Sequence, residues 1–170
     1  VDFDRTPADS REILKFISSV RTGREMLSAF LPLYTSGKVA IAPYPVKVLT
    51  KLRAVLGEGQ PVGACFMNDG SRGTIYLDMD TPIGVLAPFL IHEIAHALDE
   101  NVWLRRMKSD LQKLAVEAGA FDLQNRFMTE LRNSFPEYQM FLETRYPNAR
   151  VLVEKLSHAE ISRLYGFKGC

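Results

Sequence analysis

An α+β fold is predicted for this chain, and three features of the sequence point to it. Apolar residues recur at helical spacing near the start and through much of the second half, while three short apolar runs bounded by turn residues cluster between positions 38 and 79. No repeat, low-complexity tract or Gly/Ser/Pro-rich linker divides the 170 residues, and 46% of them are hydrophobic, enough for one domain with a substantial core. Residues 1–170 are therefore read as a single unit, with an N-terminal part to about 98 and a C-terminal part from about 99.

In chain order, Asp9 or Ser10 is placed to cap a helix through SREILKFISSVRTGREMLSAFL, where Ile13, Phe16, Ile17, Val20, Met26, Leu27 and Phe30 follow helical spacing. Gly23 should weaken its middle, and Pro32 with Tyr34 to Gly37 should end it. KVAIAP (38–43) reads as a strand, and a short helix with Val46, Leu49, Leu52, Val55 and Leu56 on one face should follow. VGACFM (62–67) and GTIYLDM (73–79) read as two more strands, and the turn residues Asn68-Asp69-Gly70-Ser71 join them into an antiparallel hairpin. Ile75, Leu77 and Met79 alternate with Thr74, Tyr76 and Asp78, which predicts one buried and one wet face. A long helix is expected from Thr81-Pro82 to about Glu100, with Pro88 marking either a kink or the start of a shorter helix. Further helices are expected from Trp103 to Gly119, through Phe121 to Phe135, and from about Asn148 to Tyr165.

Composition excludes several classes. Lysine and arginine number 21 against 20 acidic residues, and a net charge of +1 provides no field for nucleic acid or an anionic membrane, so no nucleic-acid partner is expected. No apolar run reaches about 18 residues, so no membrane span is expected. The two cysteines, Cys65 and Cys170, supply neither a disulfide framework nor a cysteine-rich metal site. Any transition metal must therefore take histidine nitrogen and carboxylate oxygen. The chain opens on Val1, as a trimmed or processed form would. Localisation is open, with a secreted or extracytoplasmic setting expected if a signal segment has been removed.

The chemistry concentrates in IHEIAHALDE (91–100). His92 and His96, four apart on a helix, aim at one point, while Glu93 is rotated by about 100° and can stand beside a water without ligating. Two structural histidines satisfying each other or the backbone are the bland alternative. Burying two imidazoles and a carboxylate among Phe89, Leu90, Ile91, Ile94 and Leu98 is costly without a partner, and a metal supplies one. A third ligand must come from elsewhere, because Asp99 shares the helix and is poorly placed. Glu117 in KLAVEAGAFDLQ is the better candidate, since Leu114 and Phe121 at i−3 and i+4 put it beside a buried stripe. Its alternative is a solvated boundary glutamate. Ala118, Gly119 and Ala120 should let that helix approach its neighbour closely.

HEIAHALDE followed by Glu117 in VEAGAF resembles the gluzincin branch of the zincin metallopeptidases, in a compact, minigluzincin-like form, over roughly Gly73 to Phe121. The resemblance implies an N-terminal backing helix and a small mixed sheet whose antiparallel edge strand runs along a cleft above the HExxH helix. It also implies one zinc ion per chain on His92, His96 and Glu117, with Glu93 as general base for the water that attacks a peptide bond of a protein or peptide substrate. GTIYLDM falls where the edge strand would be, so Gly73, Thr74, Ile75, Tyr76 and Leu77 are expected to bind substrate. His158 or Tyr165 is expected to stabilise the oxyanion, ahead of Tyr146 and Tyr138. Two departures stand out. Phe121 occupies a position where the family often has an aspartate that orients a histidine ligand, the acid here being Asp122. Asp99 and Val102 replace the glycine and third histidine of the metzincin pattern. A monomer is expected. A non-catalytic zinc-binding module on the same fold, or a secreted effector protease with one target, are the alternatives. Cys170 or the start Val1-Asp2-Phe3-Asp4 would be the occupants of the metal's open position in a latent form.

Overall fold

The apolar periodicity after Asp9 is carried by two helices rather than one. In a computed structural model, which describes residues 1–105, 107–153 and 155–167, α1 (Ser10–Ile17) and α2 (Arg21–Thr35) are separated by a corner at 18–20. Asp9 caps α1 by accepting from the Glu12 amide. Gly23 makes the corner possible: a Cβ there would lie 1.8 Å from the Ile17 carbonyl oxygen, so any other residue would push the two helices apart. No side chain of its own caps α2. Glu130, far along the chain, does so by accepting from the Thr22 amide at 2.7 Å and hydroxyl at 2.8 Å. Pro32 does not end α2, because the carbonyl it leaves without a helical donor, that of Ser28, belongs to an exposed residue on the solvent face.

The strands are β1 (Val39–Pro43), β2 (Ala64–Asn68) and β3 (Gly73–Leu77), in the order β1-β3-β2, with α3 (Val46–Leu56) between β1 and β2. The hairpin forms as expected, pairing Phe66 with Ile75 antiparallel, while β1 pairs parallel with β3 on its other side. The assignment of Gly73, Thr74, Ile75, Tyr76 and Leu77 to a substrate-binding edge is thereby overturned. Both edges of β3 are occupied by neighbouring strands, and the antiparallel edge strand is β2. Ile75 and Leu77 enter the core, but the other face is not simply wet. Tyr76 stacks on Tyr44 with ring centroids 5.7 Å apart, and Asp78 is buried, receiving Arg53 of α3 at 2.8 Å. That tether matters because α3 itself buries none of its residues, and the apolar face predicted for it leaves Val46 and Val55 in solvent.

The centre of the molecule is α4 (Ile83–Leu98), which packs against β2 and β3 and against α1, α2 and α6 (Asp110–Ser134). A helix enclosed on this many sides has to be apolar nearly all round, as IGVLAPFLI is. Its first amides are capped by backbone from the chain's start: Ile83 donates to the Arg5 carbonyl at 2.8 Å and Gly84 to the Phe3 carbonyl at 3.0 Å. Pro88 neither starts nor stops it. Proline has no N–H for the Gly84 carbonyl four residues back, and the Tyr138 hydroxyl donates to that carbonyl instead, at 2.8 Å.

After the short α5 (Glu100–Trp103), a Ser109/Gln112 capping box opens α6, which runs unbroken through Gly119 where two helices were expected. Gly119 faces solvent with nothing within 4 Å of where a Cβ would stand, so it permits no close approach. Its cost of about 1 kcal/mol is small beside the burial of Leu114, Phe121, Phe127, Met128 and Leu131 on the same helix. The remaining helices are α7 (Glu137–Arg145), α8 (Arg150–Val153) and α9 (His158–Tyr165), so the single final helix expected from Asn148 is two. Ser157 and Glu160 form a capping box that restarts the chain at α9, and Gly166, at φ +67°, ends it. Among the described residues this is an α+β fold of nine helices and one small mixed sheet. No described helix is long and apolar enough to cross a membrane.

Candidate metal centre

His92 and His96 stand one turn apart near the end of α4, both buried. Packing of α6 against α4 brings Glu117 to them, as its place beside Leu114 and Phe121 predicts. Glu117 Oε2 lies 3.1 Å from His92 Nε2 and 3.4 Å from His96 Nε2. The three donor atoms all fall within 4.8 Å of one another, a group able to hold a metal ion. Burial by itself would raise the Glu117 carboxyl, but hydrogen bonds to both imidazoles and their charge outweigh it and hold the group down at about 2. For His96, burial opposes the charged form, yet the hydrogen bond and charge of Glu117, with Glu93 and Asp99 behind, raise its pKa.

The donor set can be tested against a metal. Tetrahedral zinc with bonds of about 2.0–2.1 Å to histidine nitrogen and carboxylate oxygen sets neighbouring donor atoms about 3.3 Å apart. The two contacts of Glu117 match that spacing without rearrangement. Two imidazoles and one carboxylate, with no thiolate, are also the donors of an open site rather than a closed one. No family model, curated protein or solved structure matches the chain. The meaning of the site rests on its own chemistry.

The surroundings depart from a hydrogen-bonded ligand shell at one point. His92 Nδ1 is buried with no hydrogen-bond partner among the described residues. Phe121, four residues after Glu117 on α6, packs against the imidazole with centroids 4.5 Å apart and planes at 69°. On that side the ring is therefore held by packing, between Phe121 and the His96 ring at 4.8 Å.

Glu93 lies outside the three donors. Its Oε2 accepts from the Phe66 amide at 2.8 Å, which places the carboxylate against β2. An amide used in this way points away from β3, so Phe66, and by alternation Ala64 and Asn68, turn their backbone groups to the outer edge of the sheet. Burial raises the Glu93 pKa, with the neighbouring imidazoles pulling the other way.

The two oxyanion candidates on α9 separate. Tyr165 reaches the site, lining the cleft with His92 and Glu93 and standing 6.4 Å ring to ring from Phe121, and burial followed by the Glu117 charge raises its hydroxyl pKa. His158 is exposed at the other end of the helix, about 10 Å away by helical rise, and is not brought to the centre. Tyr138 is spent on the Gly84 carbonyl, and Tyr146 packs on Phe141. The N-terminal start is also elsewhere, with Phe3 in the core against Phe135, Tyr138 and Phe141 and Asp4 bound to Arg145. Cys170 lies outside the described residues.

A cleft of about 430 Å³ opens beside His92 and Glu93, lined by residues including Leu56, Val62, Ala64, Phe89, Phe121, Gln124, Leu164 and Tyr165. Sequence reasoning missed the outer edge of β2 and Gln124. A hairpin signal identifies which strands pair but not what covers the second edge of each. For Gln124 the signal was present: it stands seven residues after Glu117, on the same face of α6.

Proposed function

We propose that the chain is a zinc-dependent metallopeptidase that hydrolyses peptide bonds in a protein or peptide substrate, with Glu93 as general base. The observation that carries this reading is the convergence of His92, His96 and Glu117 within 4.8 Å, Glu117 lying 3.1 and 3.4 Å from the two imidazoles, with a separate carboxylate, its pKa raised by burial, one residue along the helix from His92.

His92, His96 and Glu117 would hold the ion, which when bound polarises a carbonyl and acidifies water. Glu93 takes the proton of the attacking water and later delivers it to the leaving amine. Its setting suits both halves of that task. The Phe66 amide fixes Oε2 and leaves Oε1 for the proton, while burial makes the carboxylate receptive. An extended substrate adds to the outer edge of β2 at Ala64 and at the Phe66 carbonyl, the Phe66 amide being held by Glu93, and pairs main chain with main chain. Arg105 bonds the Asn68 carbonyl at 3.3 Å and closes that edge beyond this point. Tyr165, already within reach of Glu117, donates its hydroxyl to the developing oxyanion.

Glu93→Gln should keep one zinc per chain by elemental analysis and lose about 10²–10⁴ in kcat on an unfolded protein substrate. Glu117→Ala should lose the metal as well. Full turnover in Glu93→Gln would sink the mechanism. Stoichiometric zinc with no cleavage of a broad peptide library would instead make the chain a zinc-binding module without catalysis.

A further inference from the structure

Glu117, Phe121 and Gln124 occupy positions i, i+4 and i+7 of α6 and so share one face. The first belongs to the metal group and the second packs on His92. The third is fully buried and lines the same cleft. The orientation of its amide is dictated by chemistry. The Val151 carbonyl can only accept, so the Gln124 atom 2.9 Å from it must be Nε2, and Oε1 is the other terminus. That oxygen is buried with no hydrogen-bond partner among the described residues. A buried acceptor left unpaired is costly, and because Gln124 lines the cleft, a small shift of its cover lets a donor that fills the cleft reach the oxygen.

The walls say what kind of donor. Leu56, Val62, Phe89, Phe121 and Leu164 make the cleft mostly apolar, which suits a flat hydrophobic body. Seven residues of helix place Gln124 roughly 10 Å along α6 from Glu117, so a donor reaching it from the metal group must sit at the tip of a long side chain. Glu93 and Arg150 line the cleft with opposite charges, so at Gln124 an ammonium or guanidinium would exchange water for one neutral oxygen with no net attraction from the walls. Phenylalanine fills the space but leaves the oxygen unpaired. We infer that this cleft is a subsite for a substrate tyrosine, whose hydroxyl donates to Gln124 Oε1. Only the placing of that tyrosine next to the scissile bond rests on the peptidase reading.

Binding, measured apart from turnover, decides it. In NMR titrations of the intact protein, N-acetyl-tyrosinamide should bind at least about tenfold more tightly than N-acetyl-phenylalaninamide and shift the Gln124 side-chain amide resonances. Gln124→Met, of similar volume but with no acceptor, should bind both equally. Equal binding of the two amides to the unaltered protein, or binding of neither, overturns the inference even where peptides are cleaved. A tyrosine preference in binding without cleavage of any tyrosine-containing peptide upholds the subsite and overturns the peptidase reading alone.

Discussion

Cys65 lies on β2 next to the Tyr44 hydroxyl, and its chemistry follows from that position. Burial, then the charge of Glu93, push the thiol up to about 11 against an ordinary 9.0, with the Tyr44 hydrogen bond opposing. Two units correspond to roughly a hundredfold less thiolate at pH 8. Alkylation by iodoacetamide at that pH should therefore be slower by about that factor in the folded protein than in urea, and should accelerate as the pH passes through about 11. A folded-state rate equal to the unfolded one would refute this account of the residue. At the same scale, the grouping of His92, His96 and Glu117 was legible because each position is set by helical spacing and by apolar neighbours. The choice between His158 and Tyr165 was not legible. They sit at opposite ends of one helix, and which end meets the site depends on how α9 docks. The unpaired Nδ1 of His92 lies between these cases. Phe121 at that position was legible in the sequence, but only the structure shows its ring packed on the imidazole and Nδ1 left without a partner among the described residues.

Elements were legible where a local signal decided them and illegible where a distant residue did. The Asn68 to Ser71 turn and the Ser157 cap are local, and the hairpin and the start of α9 follow from them. Pro88 is the opposite case, because its effect on α4 depends on a hydroxyl 50 residues further along the chain. Tyr138→Phe removes that hydroxyl and leaves the Gly84 carbonyl buried without a donor. The substitution should cost about 1–3 kcal/mol in denaturant unfolding, more than the loss of one oxygen atom from an apolar site would suggest. An unchanged midpoint would mean that water replaces the tyrosine. Gly23 and Gly119 show the same division. In sequence Gly23 reads as a helix weakener and Gly119 as a place of close approach, yet the first is required by contact with Ile17 and the second faces open solvent.

For the whole molecule, the α+β class was legible because periodicities of 3.6 and 2 occupy separate regions of the chain. The strand order was not. Adjacency in sequence pairs β2 with β3, but β1 reaches β3 only by a crossover through α3, and that crossover moved the open edge from β3 to β2. The metal group joins α4 to α6, so occupancy is linked to global stability. Zinc at a hundred times its dissociation constant should stabilise the fold by about 2.7 kcal/mol. For a chain of this size that is a rise in Tm of roughly 5–10 °C. A chelator should reverse it, and the Glu117→Ala protein should show no rise. No shift in the unaltered protein would argue against a specific site. The backbone caps on α4 also bear on where this domain can be trimmed. Because the carbonyls of Phe3 and Arg5 close the first turn of the helix that carries both histidines, a minimal fragment has to begin upstream of Phe3, and a protease cut just after Arg5 would loosen the helix beneath the site while leaving every site residue in place.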